Sequence, residues 1–287
     1  MQTTIQKIKN STYVLIIFFI SLTLSFCDNG NDNKNELSES KIVTENIQDV
    51  ISFEEIMSFE PGTKMKLWIN RKDTTVKEYI VSFESAYSLN GENLIIAKTE
   101  KDLPIGAGDS GSPLLTMDNR IAGSLCYGYY YNNHQFIARS IEDVISLKDF
   151  VPTIQEKRTS GIKNNKRLPL AKSIHGLHER FMQDEEKLHN SKRMISKPFG
   201  KKAPLLKRND IDFNIIPGMS IAVHEISGDV LQYYSVGTLS YVNENKLFAF
   251  GHNYKLAGEV AKPVSIAYMH TMIEGLERAH KMATPHT

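Results

Sequence analysis

The string Gly106-Ala107-Gly108-Asp109-Ser110-Gly111-Ser112-Pro113 sets two serine hydroxyls among glycines, just before the apolar run Leu114-Leu115. A nucleophilic serine needs a backbone that presents Oγ while nearby N–H groups face the oxyanion that develops. Glycines on both sides permit the close approach and dihedrals this requires. Ser110 is the expected nucleophile and Ser112 the alternative. A serine hydroxyl is barely ionised at neutral pH, so it needs a base within hydrogen-bond reach, usually histidine. Outside the basic middle of the chain the histidines are His134, His224, His252, His270, His280 and His286. His252 follows the apolar run Leu247-Phe248-Ala249-Phe250 and then Gly251, which places it at the end of a strand. Spacing alone leaves it one choice among several.

These residues need a β framework. Short alternating runs with Gly, Asn and Asp between them fill 50–140: Lys64–Ile69, Tyr79–Phe83, Leu94–Ala97, Ser112–Leu115, Ile121–Cys126 and Phe136–Ala138. Met117-Asp118-Asn119-Arg120 reads as a turn. Ser140 is placed to cap a short helix over Ile141–Phe150. Residues 211–270 return to strand character, with Met219–Ile226, Val230–Tyr234, Val236–Val242 and Leu247–His252. Val264–Ile273 begins as strand, with a helix expected through Ala279. Two β-rich blocks predict a mainly β fold of two small antiparallel barrels with a helical basic connector. The expected organisation is a signal at 1–27, a tether at 28–48, a serine-bearing half at 49–150, a linker at 151–210 and a histidine-bearing half at 211–287. Within the linker, Lys172–Lys192 has helical spacing at Ile174, Leu177, Phe181 and Leu188, predicting an amphipathic helix that docks on the domain or lies on a membrane.

Three stretches sharpen the choice of histidine. The first is Gly108–Leu115, continued by Arg120–Gly128. The second runs from Pro217-Gly218-Met219 through Val223 to Gly228-Asp229-Val230. The third is Gly237-Thr238-Leu239-Ser240-Tyr241-Val242, then Leu247–His252. Together they resemble the SpoIVB peptidase family of chymotrypsin-like serine peptidases, in a serine-motif-first order. The resemblance implies an acyl-enzyme mechanism with Ser110 as nucleophile and His252 as general base. Backbone N–H groups of Gly108 and Ser110 would form the oxyanion hole. It also implies a narrow choice of protein or peptide substrates, the chain itself among them, with the basic connector as a self-cleavage site. This chain departs from the family pattern at Asp109, where a hydrophobic residue is usual, and at Asn253, where a small residue or Pro is common. No Asp follows His252. The residue that orients the histidine stays open among Asp102, Asp143, Asp212, Asp229, Glu259 and a backbone carbonyl. A non-catalytic envelope lipoprotein that uses a peptidase-like scaffold to bind protein is the rival reading.

The chain of 287 residues is 41% hydrophobic and 23% charged, with a formal net charge of +1. That charge gives no argument for nucleic acid. Residues 151–210 hold 15 Lys/Arg against 6 Asp/Glu, a net +9, so the remainder carries −8. An anionic membrane surface is one expected partner for that basic stretch. Lys7 and Lys9 precede the apolar run Tyr13–Phe26, which is short for a membrane span and reads as an export signal. It ends at Cys27, followed by Asp28-Asn29-Gly30, and so resembles a bacterial lipoprotein signal with Cys27 lipidated. An uncleaved anchor and simple secretion are the alternatives; all three place the protein outside the cytoplasm. Lipidation of Cys27 would leave Cys126 without a disulfide partner, and its apolar setting reads as a packed thiol. The cluster Tyr127-Gly128-Tyr129-Tyr130-Tyr131 reads as packing, with a substrate groove as the alternative. No glycine loop for phosphates and no redox motif is present. His270 and His280 lack metal-site spacing, so neither cofactor nor metal is expected.

Overall fold

Alternating side chains in β2 (Lys64–Lys72) explain the architecture. Met65, Leu67 and Ile69 face one way, into a cluster with Val81, Phe83, Ile95, Leu114, Phe136 and Ala138. Trp68, between them, faces the opposite way and packs with Val76, Leu115, Ile121, Ile216, Met219 and Tyr241. One face therefore lines the interior of a barrel, and the other meets the second half of the protein. Burying a side chain as large as Phe83 contributes about 1.5–3 kcal/mol.

The computed structural model describes residues 41–44, 49–100, 103–129, 132–147, 214–227, 232–243, 246–254, 262–275 and 279–286, with the backbone of 166–167, 171–175 and 195–196. The fold is mainly β, with a closed six-stranded antiparallel barrel and a second sheet, consistent with a chymotrypsin-like double barrel. The barrel runs β3 (Thr75–Leu89), β2, β6 (Pro113–Leu115), β7 (Ile121–Tyr129), β8 (Asn132–Ser140) and β4 (Glu92–Lys98), and β4 closes it on β3. The second sheet orders β11 (Ile195–Ser196), β10 (Ala171–His175), β13 (Gln232–Asn243), β12 (Ser220–Ile226), β15 (Val264–Ile273), β16 (Ala279–Pro285) and β5 (Gly106–Ala107), with β14 (Lys246–Ala249) also on β13. Its core is Ala107, Ala222, Tyr234, Val236, Ala267, Met269 and Ala283. β5 comes from the serine-bearing half, yet it pairs in parallel with β16, Gly106 opposite Ala279 and Ala107 opposite His280. A Cβ on Gly106 would lie 2.0 Å from the Ala279 carbonyl oxygen, so this pairing requires glycine. Two short helices, α1 (Phe53–Met57) and α2 (Ile141–Ser146), are capped by Ser52 and Ser140.

Several expectations need correction. The tether does not reach residue 48: β1 (Lys41–Ile42) pairs with β3, and Val43 is buried. The helix expected from Lys172 is strand at its start, because β10 hydrogen-bonds along β13 from Ala171 to His175. β9 (Lys166–Arg167) pairs with β7, so the supposed linker adds strands to both halves. Ladder hydrogen bonds satisfy the backbone whatever the side-chain period, which is why spacing misread this stretch. The helix expected through Ala279 is absent: β15 stays strand to Ile273, and Ala279 opens β16. Val230–Tyr234 and Val236–Val242 are not two strands; from Gln232 onward one continuous β13 runs through both. The signal, Cys27 and most of the basic connector lie outside the described residues. Among the described residues no helix is long and apolar enough to cross a membrane.

His224, His280 and His286 lie on or beside the second sheet, and burial pushes each imidazole below its ordinary value. The folded chain therefore binds fewer protons at these sites than the unfolded chain does. Stability is complete above the ordinary histidine value of about 6.5 and declines as pH falls through the lowered folded values. The urea midpoint is expected to drop between about pH 7 and 5. Replacing His280, whose Nδ1 is buried without a hydrogen bond among the described residues, by Gln should flatten that slope.

Candidate active site

Thr238, in the middle of β13, joins the two motifs. Its N–H donates to the Ser110 carbonyl at 2.8 Å, and its Oγ1 donates to the Gly108 carbonyl at 2.9 Å. Its own carbonyl accepts the Phe250 N–H at 3.2 Å. One residue thus holds the serine loop on one side and the Phe250-Gly251-His252 segment on the other. The loop is further closed by Asp109 N–H to Gly106 O at 3.1 Å, Ser112 N–H to Asp109 O at 2.9 Å, and Gly111 N–H to Leu125 O at 2.7 Å.

The glycines make this contact possible. Gly108 has φ +92° and Gly111 φ +98°, in the left-handed region. A Cβ on Gly111 would stand 1.9 Å from the Thr238 carbonyl oxygen and 2.6 Å from the Phe250 nitrogen, both backbone atoms that cannot swing aside. Gly111→Ala is therefore expected to separate the two segments and lower stability by about 3 kcal/mol or more, read from the denaturant midpoint. The Phe250 ring lies across Gly237, and Gly251 packs on Ser124 and Leu125. Phe250 itself has φ +68°, a strained value for an aromatic residue, held by these contacts.

Ser110 is fully buried, and its Oγ makes no hydrogen bond among the described residues. The expected Ser110–His252 hydrogen bond is therefore not formed in this structure. Ser112 Oγ is also buried without such a bond. The two serines differ in backbone partner: the Ser112 carbonyl accepts the Leu125 N–H of the barrel at 2.9 Å, while the Ser110 carbonyl accepts the Thr238 N–H of the second sheet at 2.8 Å. Among the described residues no hydrogen bond occupies the N–H groups of Gly108 and Ser110.

His252 is half-buried, with its ring 6.3 Å from that of Phe250. Its Nδ1 lies 3.1 Å from the Asn253 carbonyl oxygen. A carbonyl only accepts, so in the neutral ring this contact places the proton on Nδ1. This is the backbone-oriented alternative foreseen from the sequence. Of the carboxylates considered for that role, Asp143 is engaged elsewhere, accepting from Asn93 N–H at 2.7 Å and Nδ2 at 3.0 Å. Asp102, Asp212, Asp229 and Glu259 lie outside the described residues.

Asp109 is the residue whose setting the sequence did not reveal. It is fully buried, and Arg71 Nη1 meets both its oxygens, at 2.9 and 3.0 Å. The Gly106 N–H donates to it at 2.9 Å, and Lys281 Nζ lies 3.3 Å away. Arg71 and Lys281 belong to no motif. The available signal was a lysine within the run Ala279–Pro285, for which no strand had been expected.

Two other candidates have structural settings. Burial pushes the Cys126 thiol up to about 12, and its Sγ points at the Ile137 carbonyl at 3.4 Å, so it is a packed thiol. Tyr127 is buried and donates to Glu92 at 3.0 Å, which makes it packing. Tyr130 and Tyr131 lie outside the described residues. Comparison with protein-family models, curated proteins and solved structures yields no match to this chain.

Proposed function

We propose that the chain is a serine endopeptidase, with Ser110 as nucleophile and His252 as general base, acting through an acyl-enzyme on few protein or peptide substrates. The observation that carries this reading is the joint at Thr238, which ties the glycine-flanked Ser110 loop to the Phe250-Gly251-His252 segment. His252 takes the proton of Ser110 as Oγ attacks the scissile carbonyl. The Gly108 and Ser110 N–H groups then hold the oxyanion, and His252 protonates the leaving amine. Water, activated by the same imidazole, releases the acyl group. No metal or cofactor enters this scheme. We place the protein at the cell envelope, anchored through lipidated Cys27 and facing away from the cytoplasm. The basic connector is then a candidate contact for anionic lipid and for self-cleavage. A burst of p-nitrophenol from p-nitrophenyl acetate, about one per chain, tests the acyl-enzyme. A burst that persists in Ser110→Ala and disappears in Ser112→Ala would move the nucleophile to Ser112.

One observation favours the rival reading of a protein-binding scaffold without catalysis: the burial of Ser110 without a hydrogen bond to an imidazole. An intact chain that gives no burst, yet captures a protein partner with Ser110→Ala unchanged, would establish it.

A further inference from the structure

The least expected group in the fold is Lys281. Its side chain has no exposure at all and sits on β16 of the histidine-bearing half. All three ammonium protons have acceptors: Asp109 Oδ1 at 3.3 Å, Ser220 Oγ at 3.1 Å and Thr238 Oγ1 at 3.0 Å. Ser220 passes its own proton to Asn70 Oδ1 at 3.0 Å, so it is free to accept from Lys281. Thr238 likewise passes its proton to the Gly108 carbonyl at 2.9 Å. Through these contacts Lys281 grips the serine loop twice, at the Asp109 side chain directly and at the Gly108 carbonyl through Thr238. The gripped residues stand on either side of the peptide between Gly108 and Asp109. That peptide lies between the two peptides that carry the Gly108 and Ser110 N–H groups, so fixing it restrains both.

Charge balance argues that this lysine is not there for stability. Arg71 already neutralises Asp109 through two hydrogen bonds. Lys281 adds a second cation to a site that needs one, and desolvation lowers its ammonium to about 8. Replacing a surplus buried charge by an apolar side chain of similar length is often neutral or stabilising. A surplus buried cation that touches both sides of the serine loop reads as a positioning residue.

We propose that Lys281 is a positioning residue that holds the Gly106–Ser110 loop in its oxyanion-binding shape, so that the C-terminal strand completes the site. The proposal deepens the peptidase reading and rests on it for its functional meaning, but its structural core is measured independently. The charged groups acting on Lys281 are Asp109 from the loop and Arg71 from β2; the neighbours from β12 and β13, Ser220 and Thr238, are neutral.

The test is amide hydrogen exchange across Gly106–Ser112 in the whole chain, with Met65–Ile69 of the barrel as internal reference. In Lys281→Met the loop is expected to exchange about tenfold to a hundredfold faster while the barrel reference and the thermal midpoint hold. Wild type supplies a second arm that needs no variant. As pH rises through about 8 the lysine loses its charge, and loop protection, corrected for intrinsic exchange, should fall while barrel protection stays. Unchanged loop protection in a folded Lys281→Met would overturn the proposal. If that variant fails to fold, flat loop protection in wild type through the same pH range overturns it. Fluorophosphonate labelling separates this from the peptidase reading. Absent labelling with Lys281-dependent protection removes the peptidase and keeps the anchor. Full labelling of Lys281→Met at the wild-type rate removes the anchor and keeps the peptidase.

Discussion

Asp109→Ala is expected to destabilise the fold by about 3–5 kcal/mol, because it leaves the fully buried Lys281 and the partly buried Arg71 without their carboxylate. Arg71 Nη1 would lose both hydrogen bonds to Asp109 and keep only the Nη2 contact to the Pro104 carbonyl at 2.7 Å. Lys281, fully buried, would keep only its two hydroxyl acceptors. The cost should depend on pH. Lys281 already has a folded value below its unfolded one, and removing Asp109 takes away an interaction that raises it. The unfolded variant then holds the proton over a wider window, so the variant regains stability as pH rises toward the ordinary lysine value of about 10.4. Urea midpoints of wild type and Asp109→Ala at neutral and alkaline pH measure both effects. Equal midpoints at neutral pH would mean that the triad is solvated in solution.

The second large effect concerns chemistry. Ser110→Ala and His252→Ala should each lower the rate of ester hydrolysis by about 10^4–10^6-fold, without a matching loss of stability. Their double variant should be no slower than either alone, since a nucleophile without a base and a base without a nucleophile are equally idle. Additive losses would mean that the two side chains act in separate events. Because His252 Nδ1 faces the Asn253 backbone carbonyl, Asn253→Ala should retain most of the activity.

What could be read from the sequence follows from how local each signal was. The strands of the barrel were visible because Met65, Leu67 and Ile69 alternate with outward-facing neighbours, and the Asn119 turn because Asn tolerates its φ of +69°. The Ser140 cap was legible for the same reason, a short polar side chain before an apolar helical face. The serine loop and the Phe250-Gly251-His252 segment were named from residue types. Their meeting at Thr238 was not, since it depends on a pairing between residues more than a hundred positions apart. Lys281 and Arg71 were missed altogether: the role of such a cation is defined by its partner, and Asp109 lies far from both in the chain. The strand Ala279–Pro285 was not foreseen, because it carries small residues with no period of two strong enough to see, and a helix was expected to run through Ala279. Its strand state comes from pairing with β15 and β5.

The most direct measurement is the second-order rate of fluorophosphonate labelling of the purified chain, with the adduct located by tandem mass spectrometry. The account predicts a single adduct on Ser110 in wild type, and none in Ser110→Ala or His252→Ala. A folded wild-type chain that takes no label, or one whose labelling survives the loss of His252, would contradict it.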